Sequence, residues 1–263
     1  MIERLAANAR VVGALGRRSI RQTARRPQLA APLIVFPTLL LAIQTGGAGR
    51  AVDLPGFPEV QSFLAFMLAG AMVQSVMLAG NSGGIALAID LEMGFTDRLF
   101  AAPISRFAIV LGRLAGTAAL GGLTAVWFLA IGIVFGVTIE GGPLAVVWIV
   151  LLVSAAALAF GGIGAAIALR SGKASVVQGL FPIVFVILFL STAFFPANLM
   201  IEPAATVAEY NPLSFIVEGL REPIVAGFNG EDELAAVASV LGIGAVGLTL
   251  SAAAMRGRAR RGQ

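Results

Sequence analysis

Residues 144–168 read LAVVWIVLLVSAAALAFGGIGAAIA, a run of 25 residues that contains no charged side chain. A helix needs roughly 20 apolar residues to cross the ~30 Å hydrocarbon core of a bilayer, and this run is longer than that. The stretch therefore predicts a membrane-spanning α-helix.

Five further stretches of the chain have the same character. The whole chain is 58% hydrophobic and only 12% charged, whereas soluble domains carry about 25% charged residues. In chain order the six stretches are residues 29–45, 62–88, 108–137, 144–168, 175–196 and 234–255. We therefore expect an all-α membrane protein with six transmembrane helices spread over residues 29–255.

The basic residues predict the orientation of this bundle. Sixteen of the 18 lie in four segments, namely residues 1–28, 90–113, 170–173 and the basic tail 256–263. Because Arg and Lys accumulate in cytoplasmic loops, these segments and both termini should be cytoplasmic. An even number of spans agrees with this, since it places both termini on the same side of the membrane. The expected location is the cytoplasmic membrane of a bacterial cell, with residues 46–61, 138–143 and 197–233 outside.

Two segments beside the spans have helical patterns of their own. Apolar residues recur at helical spacing between Ile2 and Ile20, with Arg on the other face, so residues 1–28 should form an amphipathic helix in the cytoplasmic interface. A cleaved signal peptide is the alternative, which the long arginine-rich region disfavours. In the outer segment 197–233, Asn211 and Pro212 suit an N-cap and a first helical position.

The helix that Asn211 begins has an apolar stripe, formed by Leu213, Ile216, Val217, Leu220 and Ile224. It should either dip into or lie on the outer leaflet, as a re-entrant or surface helix, or cap the bundle as a solvated loop helix. Glu218 and Arg221 stand three residues apart and can pair across one turn. We expect this pair to matter for transport more than for folding.

Two short runs in the chain resemble catalytic or nucleotide-binding motifs, but each lacks residues that its chemistry requires. Residues 80–83 read GNSG, which resembles an intramembrane serine protease, but the chain has no histidine to act as the base. Gly80 and Gly84 are better explained as a close contact between helices. Gly172-Lys173 lacks the Ser or Thr and the earlier Gly of a phosphate-binding loop. We expect no enzyme activity, no metal site and no cofactor bound by this chain.

The spans hold almost no ionisable groups, which an ion-coupled transporter would need. Their polar residues are better explained as contacts between helices than as a proton relay, and four of them are candidates for a transport pathway: Gln74, Asn81, Ser82 and Gln178. Energy for transport would then have to come from a partner. The basic pI does not indicate nucleic acid, because the positive charge lies in short blocks beside apolar spans.

Residues 90–113 contain a motif that is shared with known permeases. In order and spacing, Glu92, Gly94, Asp97, Arg98, Leu99, Pro103, Ser105 and Arg106 resemble the coupling segment of ABC transporter permeases of the ABC-2 family. The run at Met93 to Phe95 is most similar to the daunorubicin-resistance type of drug or lipid exporter. A second resemblance lies at Asn211, Pro212, Ser214, Glu218 and Arg221, before the last span.

This resemblance implies the membrane subunit of an ATP-driven exporter. ATP and Mg²⁺ would bind a separate nucleotide-binding subunit, and a second permease chain, identical or not, would complete the complex within membrane lipids. Residues 90–107 would contact the ATPase subunit, with Leu99 and Phe100 as the apolar anchor of a short helix that Pro103 ends. Packing of this segment under its own bundle is the alternative.

The cargo class also follows from the resemblance: an amphipathic drug, a lipid or a glycolipid. A polysaccharide exporter of the same superfamily is the alternative cargo assignment, although the spans hold few Trp and Tyr residues to stack on sugars. A membrane scaffold protein that transports nothing is the alternative from another class.

Overall fold

The computed structural model describes residues 13–18, 20–21, 27–94 and 106–261. Within these ranges the regular structure is entirely helical, without a strand: residues 13–18 and 20–21 are helical, and nine α-helices and two short 3-10 helices follow them. The α-helices are α1 (Pro27–Ala48), α2 (Phe63–Glu92), α3 (Arg106–Val134), α4 (Gly142–Ser171), α5 (Ala174–Gln178), α6 (Phe181–Phe189), α7 (Ala204–Tyr210), α8 (Pro212–Val225) and α9 (Glu231–Arg261). The 3-10 helices are Gly49–Asp53 and Ala197–Leu199.

Five of the described helices, α1, α2, α3, α4 and α9, are long and apolar enough to cross a membrane. They coincide with five of the six stretches that the sequence predicted. An all-helical, multi-pass membrane protein is therefore confirmed. The last helix continues to Arg261, so residues 256–261 extend α9.

The sixth predicted span, residues 175–196, is not one continuous helix, and its crossing of the membrane stays a prediction. The segment consists of α5 and α6, separated by a turn at residues 179–180, and it leaves helical structure after Phe189. Pro182 lacks an N–H and cannot bond the carbonyl of Gln178, and Gly179 is a weak helix former. The nine residues of α6 are only about 14 Å long, too short to cross a bilayer alone.

Helix α2 lies at the centre of the bundle and is buried along most of its length. Its closest approach to α4 runs along Gly80 and Gly84. A Cβ added at Gly84 would lie 2.8 Å from the carbonyl oxygen of Gly164, and one added at Gly164 would lie 2.6 Å from the carbonyl oxygen of Gly80. Small residues that let two backbones meet are typical of membrane helix pairs. The expected packing role of these glycines is confirmed.

The buried apolar side chains form two clusters, one towards each end of the bundle. The larger lies around Phe66, Met72 and Phe128, and the smaller around Leu91 and Leu169. We call the end with Glu92, Arg113 and Lys173 the basic end. We call the end with α8, Glu140 and residues 231–233 the acidic end.

The N-terminal residues that the structure describes, 13–18 and 20–21, are helical, as the sequence predicted for that part. Gly16 lies against α3, because a Cβ added there would lie 3.1 Å from the Cβ of Ala115. Residues 1–12, 19 and 22–26 of the predicted interfacial helix lie outside the described part of the chain, and residues 27–28 belong to α1.

Candidate functional site

Most of the predicted coupling segment, residues 95–105, lies outside the described ranges, and with it Asp97, Arg98, Leu99, Phe100, Pro103 and Ser105. Glu92 is the last residue of α2. Gly94 follows in a turn with a φ of +67°, a backbone conformation that glycine adopts without strain. Arg106 is the first residue of α3. Both flanks of the segment are therefore the ends of long bundle helices.

The side chains at the end of α2 bind neighbouring helices. Asp90 is buried and forms an ion pair with Arg113 of α3. Glu92 accepts a hydrogen bond of 2.9 Å at its Oε1 from the backbone N–H of Ala174, the first residue of α5. The predicted coupling segment therefore begins at a point where α2 is joined to both α3 and α5.

At the acidic end, Arg221 of α8 lies in a pocket of acceptors and is only 4% exposed. Its Nη1 donates to both carboxylate oxygens of Glu218, at 2.6 and 2.8 Å, which confirms the pairing that the spacing predicted. Its Nη2 donates to the carbonyl of Thr192 at 2.8 Å, and its Nε to the carbonyl of Phe66 at 3.2 Å. The guanidinium carbon lies 3.8 Å from the centre of the Phe66 ring.

Two more side chains complete this group, which we call the Arg221 cluster: Phe66, Thr192, Ser214, Glu218 and Arg221. The Thr192 hydroxyl donates to Glu218 Oε1 at 2.5 Å. The backbone N–H of Thr192 donates to the Ser214 hydroxyl oxygen at 3.1 Å. The cluster therefore fixes the irregular backbone after α6 against α2 and α8.

Asn211 begins α8 and reaches the same irregular backbone. Its Oδ1 accepts from the N–H of Leu213 at 2.9 Å, as an N-cap does, and Pro212 is the first helical residue. Its Nδ2 donates to the carbonyls of Ile187 and Leu190 at 2.8 and 2.7 Å. The predicted start of this helix is confirmed, and one side chain satisfies both a helix N-terminus and a helix C-terminus.

The apolar stripe of α8 faces the bundle and not lipid, because Leu213, Ile216, Val217 and Leu220 are at most 2% exposed. The sequence did not predict Thr192 or Phe66 as members of the site, whereas Ser214 belongs to the second motif that it contains. Ser214 had a usable signal, since it lies one turn before Glu218 on the same helix face. Thr192 and Phe66 had none, because their partners are 26 and 155 residues away.

A second acidic group lies where α8 meets α9. Burial raises the pKa of the Glu222 carboxyl, and the nearby negative charges of Asp232, Glu218 and Glu233 raise it further, while Arg221 lowers it. Glu233 is buried and accepts a hydrogen bond of 2.5 Å at its Oε2 from the N–H of Gly230. Like charges held together in this way disfavour the ionised form.

The four candidate pathway residues differ in exposure. Gln74 is 1% exposed, and its Nε2 has no hydrogen-bond partner among the described residues. Asn81 and Ser82 are half-buried, and Gln178 is exposed. In the part of the chain that the structure describes, no group of three or more His, Cys, Asp or Glu side chains could hold a metal ion. The arrangement supports polar contacts between helices.

Comparison with known proteins identifies relatives of this chain. The family described as ABC-2 type transporter matches residues 10–225. The chain is 27% identical over 199 residues to "Daunorubicin resistance ABC transporter permease protein DrrB1" of Streptomyces coeruleorubidus, covering 74% of this chain and 69% of that protein. It is 26% identical over 219 residues to "Putative transport permease ycf38" of Pyropia yezoensis, covering 80% of this chain and 72% of that protein.

Proposed function

The chain belongs to the ABC-2 type transporter family as a membrane permease subunit without a nucleotide-binding ATPase of its own, and we propose that it forms the pathway of an ATP-driven exporter for an amphipathic drug, lipid or glycolipid. The family match supports ATP as the energy source, because permeases of this kind pair with nucleotide-binding subunits. The name of the DrrB1 relative and the apolar composition of the helices support the cargo class. A second permease chain would complete the pathway.

The ends of the helices support residues 90–107 as the contact with the ATPase subunit. The segment joins α2, the central helix, to α3, and Asp90 and Arg113 pair at its base. A displacement of this segment would therefore be transmitted directly to α2, the central helix. Leu99 and Phe100 supply the apolar anchor, and Asp97, Arg98 and Arg106 the polar rim, the usual division in a small interface.

The test is co-purification of this chain with a candidate ATPase subunit. Leu99→Ala combined with Phe100→Ala should weaken recruitment by roughly thirtyfold, because truncating a buried anchor costs on the order of 2 kcal/mol. The matched control is Val134→Ala with Phe135→Ala, an exposed aliphatic–aromatic pair at the opposite end of α3. The control should leave recruitment unchanged. Equal recruitment by the wild type and the Leu99/Phe100 variant would remove this segment from the interface.

A further inference from the structure

Helices α5 and α6 form a tract that is fastened at both ends and sparsely packed between them. At the basic end, Val177 of α5 is buried in the smaller apolar cluster with Leu91 and Leu169. At the acidic end, Asn211 and the Arg221 cluster bind the backbone from Ile187 to Thr192. Between these ends, three apolar side chains of α6 are about half exposed: Ile183, Val186 and Phe189.

The fastening at the basic end includes one charged hydrogen bond, from the N–H of Ala174 to Oε1 of Glu92. Lys173, the N-cap of α5, offers no side-chain bond to the helix. Glu92 therefore supplies from α2 the capping contact that the local sequence of α5 lacks. It does so within the predicted coupling segment, two residues before Gly94.

We propose that Glu92 is a positioning residue for energy coupling, which fastens α5 to the end of α2 so that movement at the coupling segment reaches the α5–α6 tract and, through it, the Arg221 cluster. This proposal rests on the proposed function, because it assumes an ATPase that moves the coupling segment. It assigns Glu92 a partner within its own chain, whereas the family resemblance groups Glu92 with residues that face the ATPase.

The geometry allows the donor to be removed without touching Glu92. Ala174 is the first residue of α5, where proline is tolerated because its N–H makes no bond within the helix. Lys173 already has the extended backbone that a residue before proline prefers, with φ of −127° and ψ of 127°. Ala174→Pro therefore removes the N–H that Glu92 binds, and Ala174→Gly keeps it.

The experiment uses the full permease with its ATPase in lipid and measures recruitment and permease-stimulated ATP hydrolysis. Ala174→Pro should lower stimulation about threefold, the scale of one hydrogen bond to an exposed carboxylate, with recruitment unchanged. Glu92→Ala should lower stimulation similarly, and the double variant should lose no more than either single variant. Glu92→Gln keeps an acceptor oxygen and should lose less. Ala174→Gly should behave as the wild type does.

Each other outcome has a separate meaning. If Ala174→Pro keeps full stimulation while Glu92→Ala loses it, Glu92 acts on the ATPase surface and the proposal is overturned. Additive losses in the double variant would overturn it too. If the wild-type chain neither recruits nor stimulates the ATPase, the proposed function itself fails. Elution as a single folded species is required of every variant, and Ala174→Gly separates loss of the donor from loss of the Ala174 side chain.

Discussion

Arg221 has the most acceptors of any single side chain described at the acidic end, and its burial decides what it does. It binds Glu218 and the carbonyls of Thr192 and Phe66 while only 4% exposed. From spacing alone, the Glu218–Arg221 pair was expected to act in transport more than in folding. Its contacts to three separate segments now lead us to expect a loss of stability first.

The first prediction follows from that burial. Arg221→Gln should lower the free energy of unfolding by about 3 kcal/mol, because Glu218 and two carbonyls lose their donor. Glu218→Gln should cost less, about 1 kcal/mol, since the amide keeps an acceptor and Glu218 is 31% exposed. The measurement is denaturant or detergent titration of the purified chain. The control Arg50→Gln, at an exposed arginine, should change stability by less than about 0.5 kcal/mol. Equal losses for Arg50 and Arg221 would contradict this explanation.

Glu222 gives the second prediction, which concerns pH. Its pKa is raised in the folded protein, chiefly by burial. The associated stability is fully present below the ordinary pKa of a glutamate and is lost as pH rises through the raised value. Glu222→Gln should therefore be more stable than the wild type at neutral pH, and the difference should disappear in acid. Thermal unfolding of both proteins across that range would test it, and a difference that grew in acid would disprove it.

At the scale of elements, the α2–α4 contact depends on the absence of side chains. The third prediction is that Gly84→Ala lowers the free energy of unfolding by about 1–3 kcal/mol, because the new Cβ would meet the carbonyl of Gly164 at 2.8 Å. Gly242→Ala is the matched control, in helix α9 with nothing within 4 Å of the added Cβ. It should be neutral or stabilising, because alanine favours helix. The measurement is the temperature at which half of the protein loses its folded elution peak.

The elements also show what the sequence could and could not predict. Asn211 and Pro212 predicted the start of α8, because helix capping is a local interaction that depends on residues close in sequence. The break at residues 179–180 was missed because hydropathy averages over a window, and only Ser175 and Gln178 are polar between residues 174 and 190. The hydrogen bond between Glu92 and Ala174 joins residues 82 apart, so no local pattern encodes it.

At the scale of the whole molecule, the orientation in the membrane remains a prediction. The uneven distribution of basic residues favours a cytoplasmic basic end. The chain has no native cysteine, so single cysteines can be introduced freely. Our fourth prediction is that a membrane-impermeant thiol reagent labels Ala226→Cys in intact cells but leaves Ser105→Cys unlabelled until the cells are opened. Labelling of Ser105→Cys in intact cells would reverse the orientation.

The broken α5–α6 tract bears on this orientation. Five long helices alone would place the two termini on opposite sides, whereas the distribution of charge places both on the same side. The number of spans and the distribution of charge agree only if α5 and α6 together cross the membrane. The Arg221 cluster would then supply hydrogen bonds to the backbone at their outer end. The labelling experiment therefore also tests whether this two-piece segment counts as a span.

Transport driven by ATP is the central claim, and uptake into inside-out vesicles measures it most directly. Vesicles that contain this chain and its ATPase should accumulate daunorubicin or a fluorescent phospholipid only when ATP is supplied, and a protonophore should not abolish the uptake. Vesicles with the ATPase omitted should accumulate neither. Uptake that persists without the ATPase, or that collapses with the proton gradient while ATP remains, would contradict the claim.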